Sequence, residues 1–181
     1  MDIVAEVKMR YWLFLLSCII LVLLSPGASG KEGYKMDALT ITSTAFQHIP
    51  VQYTCEGKDI SPPLVIDGIT LAAKSLSLIV DDPDAPVGTW VHWVLWNIDP
   101  ATRTIRENGV PSGAVQGRND FKKTSYGGPC PPSGTHRYFF KVYALDTMLA
   151  IPPTSTKADL EKAMRGHILA EGQLIGLYKR R

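Results

Sequence analysis

The chain of 181 residues is long enough for one domain with a sizeable core, and its content of 45% hydrophobic and 20% charged residues is ordinary for a globular protein. Its formal net charge is +2 at pH 7, with 19 Lys and Arg against 17 Asp and Glu. This balance argues against a dedicated nucleic-acid-binding protein, which would carry a basic stripe. The basic ending 179–181 is interpreted as a solvated chain end.

An apolar segment near the N-terminus predicts export from the cytoplasm to the periplasm or the medium. Two basic residues precede the uncharged run from Tyr11 to Leu24, and small residues follow it. This order is typical of a secretory signal peptide, so we expect residues 1–30 to be removed after Gly30. The run is short for a membrane span, which needs about 20 apolar residues. An uncleaved membrane anchor is the alternative, and Met9 is an alternative start.

The remainder, from residue 36 to residue 181, is predicted to be one mostly β domain. Short apolar runs that are separated by Pro and Gly are typical of β proteins. The predicted strands are Leu39 to Thr44, Ser75 to Asp81, Trp90 to Ile98 and Arg137 to Leu145. The run Trp90 to Ile98 is apolar on both faces, which predicts a central strand that is covered on both sides.

One helix and one long loop complete the predicted elements. Residues 99–135 are rich in Gly and Pro, and a loop of this length in a compact domain is more often functional than idle. The helix is predicted near the end of the chain, with Thr156 as its N-cap and Asp159 in its first turn. Its apolar face is formed by Leu160, Ala163, Met164 and Ile168.

Polar side chains lie at the ends of several apolar strand faces. Period-two alternation places Asp82 after Val80 on one face, His92 between Trp90 and Val94 on another, and His136 with Tyr138 on a third. Each residue also has a structural explanation, because a lone His is usually a hydrogen-bonded core residue and Asp82-Pro83-Asp84 is a good turn sequence. The combination of two His, two Asp and one Tyr beside a Gly- and Pro-rich loop nevertheless favours a binding site. Arg137 is expected on the opposite face from His136.

Three motifs make the chain similar to the phosphatidylethanolamine-binding protein family. The segment Asp82-Pro83-Asp84-Ala85-Pro86 with Val91-His92-Trp93 resembles its first signature block, the segment from Gly128 to Tyr138 resembles the second, and the segment from Gly57 to Pro63 a third. The short spacing from Pro86 to His92 resembles the bacterial and archaeal Raf-kinase-inhibitor-like branch. The resemblance implies an antiparallel Greek-key β-sandwich with a few short peripheral helices. It also implies a pocket for phosphate, phosphorylethanolamine-like groups or acetate, formed by Asp82, Asp84, Pro86, His92, His136 and Tyr138, with Gly128 in the rim.

The predicted pocket contains groups that suit an anion. His92 and His136 can donate hydrogen bonds and become positive near neutral pH, and Tyr138 adds a hydroxyl donor. A Gly- and Pro-rich loop can direct backbone N–H groups into such a pocket. Asp82 and Asp84 cannot hold an anion directly, so we expect them to orient a histidine or to accept a hydrogen bond from an ammonium group of the ligand.

Three classes of function remain open. A binding or regulatory module, for example an inhibitor of a protease or kinase, fits best because the sequence contains no activated nucleophile such as Gly-x-Ser-x-Gly. A hydrolase that uses the Asp, His and Tyr residues for general acid–base catalysis is second. A metal site is third, since no His-x-x-x-His spacing supports it. We therefore predict a small anionic ligand, no metal and no cofactor.

Two cysteines remain after the signal segment, Cys55 and Cys130. Each precedes a Pro-rich stretch of a family motif, and export permits oxidation, so we predict a disulfide between them. Two separate buried thiols are the alternative. We also expect a cis peptide bond at Pro86 or at one of Pro131 and Pro132, because tight Pro-rich rims tolerate that isomer.

Overall fold

A computed structural model describes residues 38–44 and 46–181, so the predicted signal segment lies outside the described residues. This part of the chain forms eight strands, one α-helix and a 3-10 helix at Val51–Tyr53. The strands are β1 (Thr40–Thr42), β2 (Leu64–Asp67), β3 (Ser75–Asp82), β4 (Trp90–Ile98), β5 (Thr104–Ile105), β6 (Val115–Gln116), β7 (Thr135–Leu145) and β8 (Ile168–Lys179), and the helix is α1 (Lys157–Met164). Neither helix in this part is long and apolar enough to cross a membrane.

The strands form two antiparallel sheets. The smaller has the order β1-β2-β5, and the larger has the order β6-β4-β3-β7-β8. In the larger sheet, Leu78 lies opposite Leu95 of β4 on one side and Val142 of β7 on the other. The mostly β, antiparallel fold predicted from the sequence is confirmed.

The main apolar core lies between the two sheets. Alternate residues of each strand point into it, as expected for two sheets that pack face to face. The smaller sheet contributes Ile41, Leu64, Ile66 and Ile105, together with Leu39 just before β1, and the larger contributes Leu76, Leu78, Val80, Trp93, Leu95, Phe140 and Val142. Each fully buried apolar side chain stabilises the fold by about 1.5–3 kcal/mol relative to exposure.

A second apolar cluster covers the opposite face of the larger sheet. Leu160 and Met164 of α1 pack there with Val94 and Trp96 of β4, so β4 is covered on both faces as predicted. The predicted N-cap is also present, since the hydroxyl of Thr156 accepts a hydrogen bond from the backbone of the third helical residue within a capping box. The helix therefore begins where the sequence places it.

A β-bulge in β4 determines where His92 points. Val80 lies opposite Trp93 but Asp81 lies opposite Val91, so β4 has one extra residue at this place. Counted from Val94, strict alternation would put His92 on the helix-covered face. The bulge instead places His92 on the same side of the sheet as Trp93, which is a common use of bulges beside functional sites.

Several element predictions differ from the structure. The first strand is confined to Thr40–Thr42, and Ile168 begins β8 instead of extending α1, because the chain turns at Gly166, whose φ is 80°. The sequence analysis did not predict strand β8, because glycines interrupt its apolar pattern. One of them, Gly172, is needed where β1 crosses closely, since a Cβ there would lie 2.3 Å from the Leu39 carbonyl oxygen. The expected cis proline is wrong, as the peptide bonds of the described residues are trans.

Candidate binding site at the ends of β3, β4 and β7

A cavity of about 290 Å³ opens at the ends of the three inner strands of the larger sheet. Strand β3 ends at Asp82, while its antiparallel neighbours β4 and β7 begin close to His92 and His136. Antiparallel pairing brings the end of one strand beside the beginnings of its neighbours, so these three side chains meet in the cavity wall. The remaining wall is largely apolar and consists of Ala85, Pro86, Val87, Trp90, Phe121, Cys130, Pro131 and Pro132.

A buried pair of side chains, Asp82 and His136, forms part of this wall. The Nδ1 atom of His136 lies 2.7 Å from Oδ2 of Asp82, and the two residues are only 7% and 3% exposed. The second oxygen of Asp82, Oδ1, accepts the backbone N–H of Asp84 at 2.8 Å. The carboxylate thus orients the imidazole and leaves Nε2 of His136 as the ring nitrogen that is available to a ligand.

The imidazole of His92 is held in one tautomer by the backbone of the rim. Its Nδ1 lies 2.6 Å from the Gly127 carbonyl oxygen, which can only accept, so Nδ1 carries the proton. Burial lowers the pKa of His92, and it outweighs the Gly127 hydrogen bond and the negative charges of Asp82, Asp81 and Asp120. The neutral ring therefore has an acceptor at Nε2, whereas the sequence led us to expect a donor.

The tyrosine predicted for the pocket, Tyr138, lies beneath the two histidines and not in the wall of the cavity. Its ring meets His92 edge-on, with 5.2 Å between the centroids, and is nearly parallel to His136 at 6.5 Å. The hydroxyl lies near the Asp82 carboxylate but makes no hydrogen bond of normal geometry within the described part of the chain. Burial, reinforced by this carboxylate, raises the pKa of Tyr138. Tyr138 thus supports both imidazoles.

The second predicted acid, Asp84, is also outside the cavity lining and is bound to Arg137. Its Oδ2 accepts the backbone N–H and the Nε–H of Arg137, each at 2.9 Å, and its Oδ1 accepts from Nη2 at 2.6 Å. The Arg137 guanidinium lowers the pKa of Asp84 to about 2. These bonds fix the turn after β3, and the turn places Pro86 in the cavity wall.

The rim of the cavity, around Gly128 and Cys130, is bonded to the segment that follows the 3-10 helix. The backbone N–H of Gly128 donates to Oδ1 of Asp59 at 2.6 Å, so it is directed away from a ligand. Glycine is needed at this position because a Cβ would lie 2.5 Å from the Tyr53 carbonyl oxygen. Next to it, Cys55 and Cys130 form the predicted disulfide, with their Cα atoms 5.4 Å apart. The disulfide prediction is confirmed, and Cys130 contributes to the cavity wall.

Two aromatic residues, Trp90 and Phe121, belong to the cavity although the sequence analysis did not single them out. Their ring centroids are 5.5 Å apart, and Phe121 also meets His92 edge-on at 5.3 Å. Asp120 holds Phe121 in place, since its carboxylate accepts the Val91 N–H at 2.7 Å and its own N–H donates to the Val91 carbonyl. An aromatic residue inside a polar, glycine-rich loop was the signal that could have indicated Phe121.

The structure therefore divides the predicted site residues into two groups. Asp82, Pro86, His92 and His136 line one cavity, whereas Asp84, Gly128 and Tyr138 lie around it. Whether each of them binds a ligand stays a prediction. Among the residues that the structure describes, no three His, Cys, Asp or Glu side chains are grouped so that they could hold a metal ion.

Fold and cavity together define a β-sandwich protein with a small cavity at the ends of its inner strands. The profile of the family described as "Phosphatidylethanolamine-binding protein" matches residues 41–179. A UPF0098 protein of Pyrococcus abyssi is 47% identical over 181 residues, which cover 96% of this chain and 100% of the relative. A UPF0098 protein of Methanothermobacter thermautotrophicus is 55% identical over 137 residues, which cover 73% of this chain and 91% of the relative.

Two solved structures share the fold. A phosphatidylethanolamine-binding protein homologue from Chlamydia trachomatis, CT736, superimposes with a TM-score of 0.77 at 42% identity, covering 80% of this chain and 99% of the homologue. YbcL from E. coli, described as a new member of the mammalian phosphatidylethanolamine-binding protein family, gives a TM-score of 0.75 at 30% identity, covering 80% of this chain and 100% of YbcL. The chain belongs to the phosphatidylethanolamine-binding protein family.

Proposed function

We propose that the chain is a binding or regulatory protein whose cavity takes a small phosphate-type anion, such as phosphate or phosphorylethanolamine. One observation carries this proposal, namely the buried Asp82–His136 pair in the cavity wall. A protonated His136 donates a charge-assisted hydrogen bond from Nε2 to an anion, and Asp82 balances its charge when no ligand is bound. The cavity volume, about 290 Å³, is at the lower end of the range for small-molecule sites and suits a ligand of head-group size.

Calorimetry with O-phosphorylethanolamine and with inorganic phosphate at pH 6 tests the proposal. Replacement of His136 by Ala removes the buried donor, so we expect His136→Ala to weaken binding about tenfold to a hundredfold. The matched control is His167→Ala, because His167 makes a similar pair with Asp146 at 2.8 Å but lies on the surface. Unchanged affinity in folded His136→Ala protein would place the ligand elsewhere.

A second candidate function is general acid–base catalysis of hydrolysis. The observation that favours it is again the carboxylate–imidazole pair, because enzymes use a carboxylate to hold a catalytic imidazole in the required tautomer. Within the described residues, no hydroxyl or thiol is hydrogen-bonded to either cavity histidine, so the nucleophile would be water. Turnover of a phosphoester or carboxyl ester by the wild type, lost in His136→Ala, would favour the enzyme over the binding protein.

We also propose that the protein acts outside the cytoplasm. The support is the signal-like sequence of residues 1–30 together with a disulfide whose two cysteines are both exposed, since such bonds persist mainly in oxidising compartments. N-terminal sequencing of native protein is expected to give a chain that begins near Lys31. A soluble cytoplasmic chain that begins at Met1 or Met9 would contradict export.

A further inference from the structure

We infer that the cavity selects oxyanions that carry an acidic proton, such as singly protonated phosphate monoesters, over proton-free oxyanions of the same shape and charge, and that His92 makes this selection. The inference rests on the proposed function, because it specifies which form of a phosphate-type anion the same cavity takes. It follows from the side chains of the wall, because His92 and Asp82 present acceptors to the cavity.

The acceptors of the cavity wall belong to His92 and Asp82. The only proton of the neutral His92 ring is committed to the Gly127 carbonyl oxygen at 2.6 Å, so Nε2 has a lone pair. Both carboxylate oxygens of Asp82 already accept one hydrogen bond each and retain further lone pairs. A proton-free anion would place its oxygens against these lone pairs without a hydrogen atom between them.

Side-chain donors are few in the same wall. Among the side chains that line the cavity, the indole of Trp90 has a proton to donate, and His136 donates from Nε2 only when both of its ring nitrogens carry a proton, because Nδ1 is bound to Asp82. Two N–H groups of the rim are committed elsewhere, since Gly127 donates to the His92 carbonyl oxygen and Gly128 donates to Asp59. The neighbouring Pro131 and Pro132 have no N–H. A ligand that brings its own proton therefore satisfies an acceptor that would otherwise stay unpaired.

The groups packed around His92 keep its Nε2 an acceptor. Strand β3 presents Asp82 and, more remotely, Asp81, while β7 presents His136 and Tyr138. The loop before the rim presents Asp120 and the apolar ring of Phe121. The carboxylates favour a protonated ring, but the burial of His92 has the larger effect and lowers its pKa.

Methyl phosphate and methyl sulfate form a matched pair of probes. The second pKa of a phosphate monoester is about 6, so at pH 5.5 most methyl phosphate is a monoanion with one P–OH group. Methyl sulfate is a tetrahedral monoanion without a proton at the same pH. The two ligands thus differ mainly in the hydrogen atom that His92 or Asp82 would accept.

Calorimetry with these two probes at pH 5.5 and pH 8 tests the inference. We expect methyl phosphate to bind wild-type protein at least about tenfold more tightly than methyl sulfate at pH 5.5. This ratio corresponds to the free-energy cost of leaving one buried acceptor opposite an anion without a hydrogen bond. Methyl phosphate should lose this advantage at pH 8, where it is deprotonated. Equal affinities at pH 5.5 would overturn the inference and leave the proposed function intact, whereas absence of binding by both probes would overturn both.

Substitutions of His92 show whether this residue makes the selection. In His92→Asn the amide N–H can still donate to the Gly127 carbonyl oxygen, but the acceptor at the position of Nε2 is lost, so the two affinities should converge to within about threefold. His92→Gln places an amide oxygen near that position and should restore part of the preference. His136→Ala should weaken both ligands alike. Undiminished selectivity in folded His92→Asn protein would overturn the assignment to His92, and the wild-type comparison decides the inference if that variant does not fold.

Discussion

The two faces of the larger sheet each bury an aspartate, and the two aspartates are neighbours in sequence. Asp81 is fully buried on the face that α1 covers, and its Oδ2 accepts from Lys141 at 2.8 Å and from Lys157 at 2.7 Å. Asp82 is almost as buried on the cavity face, where its partner is His136. Both carboxylates have the partner that a buried charge needs, and Asp82 also lines the cavity.

The two sites differ in whether the partner of the aspartate can still bind another group. Lysines keep their charge at physiological pH, and Lys157 is the first residue of α1, so Asp81 fastens the helix to the sheet. The imidazole of His136 has a second ring nitrogen, Nε2, which stays available while Nδ1 is bound to Asp82. A buried carboxylate therefore indicates a binding site only when its partner has a second group that faces a cavity.

The largest expected effect comes from removing both cations of Asp81. The double variant Lys141→Met/Lys157→Met leaves a buried carboxylate without a partner, so we expect the free energy of unfolding to fall by about 3–5 kcal/mol. Urea denaturation followed by tryptophan fluorescence measures this change. The affinity for a phosphate monoester should stay the same, because the cavity is on the opposite face.

The control for this double variant replaces two exposed lysines, Lys58 and Lys74, by Met. Such surface changes usually alter the free energy of unfolding by less than about 0.5 kcal/mol. If the Asp81 variant were no less stable than this control, the helix-covered carboxylate would not act as a tether. If instead ligand affinity fell strongly, the two faces of the sheet would be coupled.

A smaller effect is expected from the titration of His92. Burial lowers the pKa of this ring, so the unfolded chain, with a pKa near 6.5, takes up the proton more readily than the folded protein. The contribution of His92 to stability is therefore complete above about pH 6.5 and is lost as the pH falls, by up to about 1.4 kcal/mol per pH unit. Denaturation of wild type and His92→Gln from pH 7 to pH 5 should show a shallower loss in the variant. Parallel curves would mean that His92 has the same pKa in the folded and in the unfolded protein.

The strands that frame the cavity could be predicted because they are apolar runs of β-branched, aromatic and other apolar residues. Strands β3, β4 and β7 have continuous apolar faces, and the Greek-key resemblance supplied the fold. Strand β8 could not be found this way, since Gly172 and Gly176 interrupt its apolar face and its stability comes from pairing along β7. Tertiary pairing of this kind overrides weak local preference.

Single side chains of the cavity also show what sequence patterns can and cannot predict. Asp82 and His136 continue regular faces, so counting by twos placed them correctly in the cavity wall. Counting by twos also put His92 on one face with Trp90 and Val94, but His92 shares the cavity with Trp90 alone, because the bulge separates both from Val94. Asp84 was expected near a ligand, but the turn brings it to Arg137, a long-range contact that no local pattern encodes.

The smallest expected effect concerns Asp84, which resembles Asp81 more than Asp82 because its partner is a permanent cation. NMR titration of the wild type should give Asp84 a pKa of about 2. The folded pKa is lowered, so the stability that this pair provides is present above about pH 4 and disappears as the pH falls toward 2. The pair is partly exposed, so we expect little change in the free energy of unfolding at pH 7 when it is removed.

The variant Arg137→Gln separates the two interpretations of Asp84. Loss of the guanidinium should move the pKa of Asp84 toward its ordinary value of 3.8, without reaching it, because the Arg137 backbone N–H still donates to Oδ2. The control Arg103→Gln should leave Asp84 unchanged, since Arg103 donates to the Pro100 carbonyl oxygen on the surface. A pKa near 3.8 in the wild type would show that the pair does not persist in solution. Asp84 would then be free to approach the cavity beside Asp82, as the sequence first indicated.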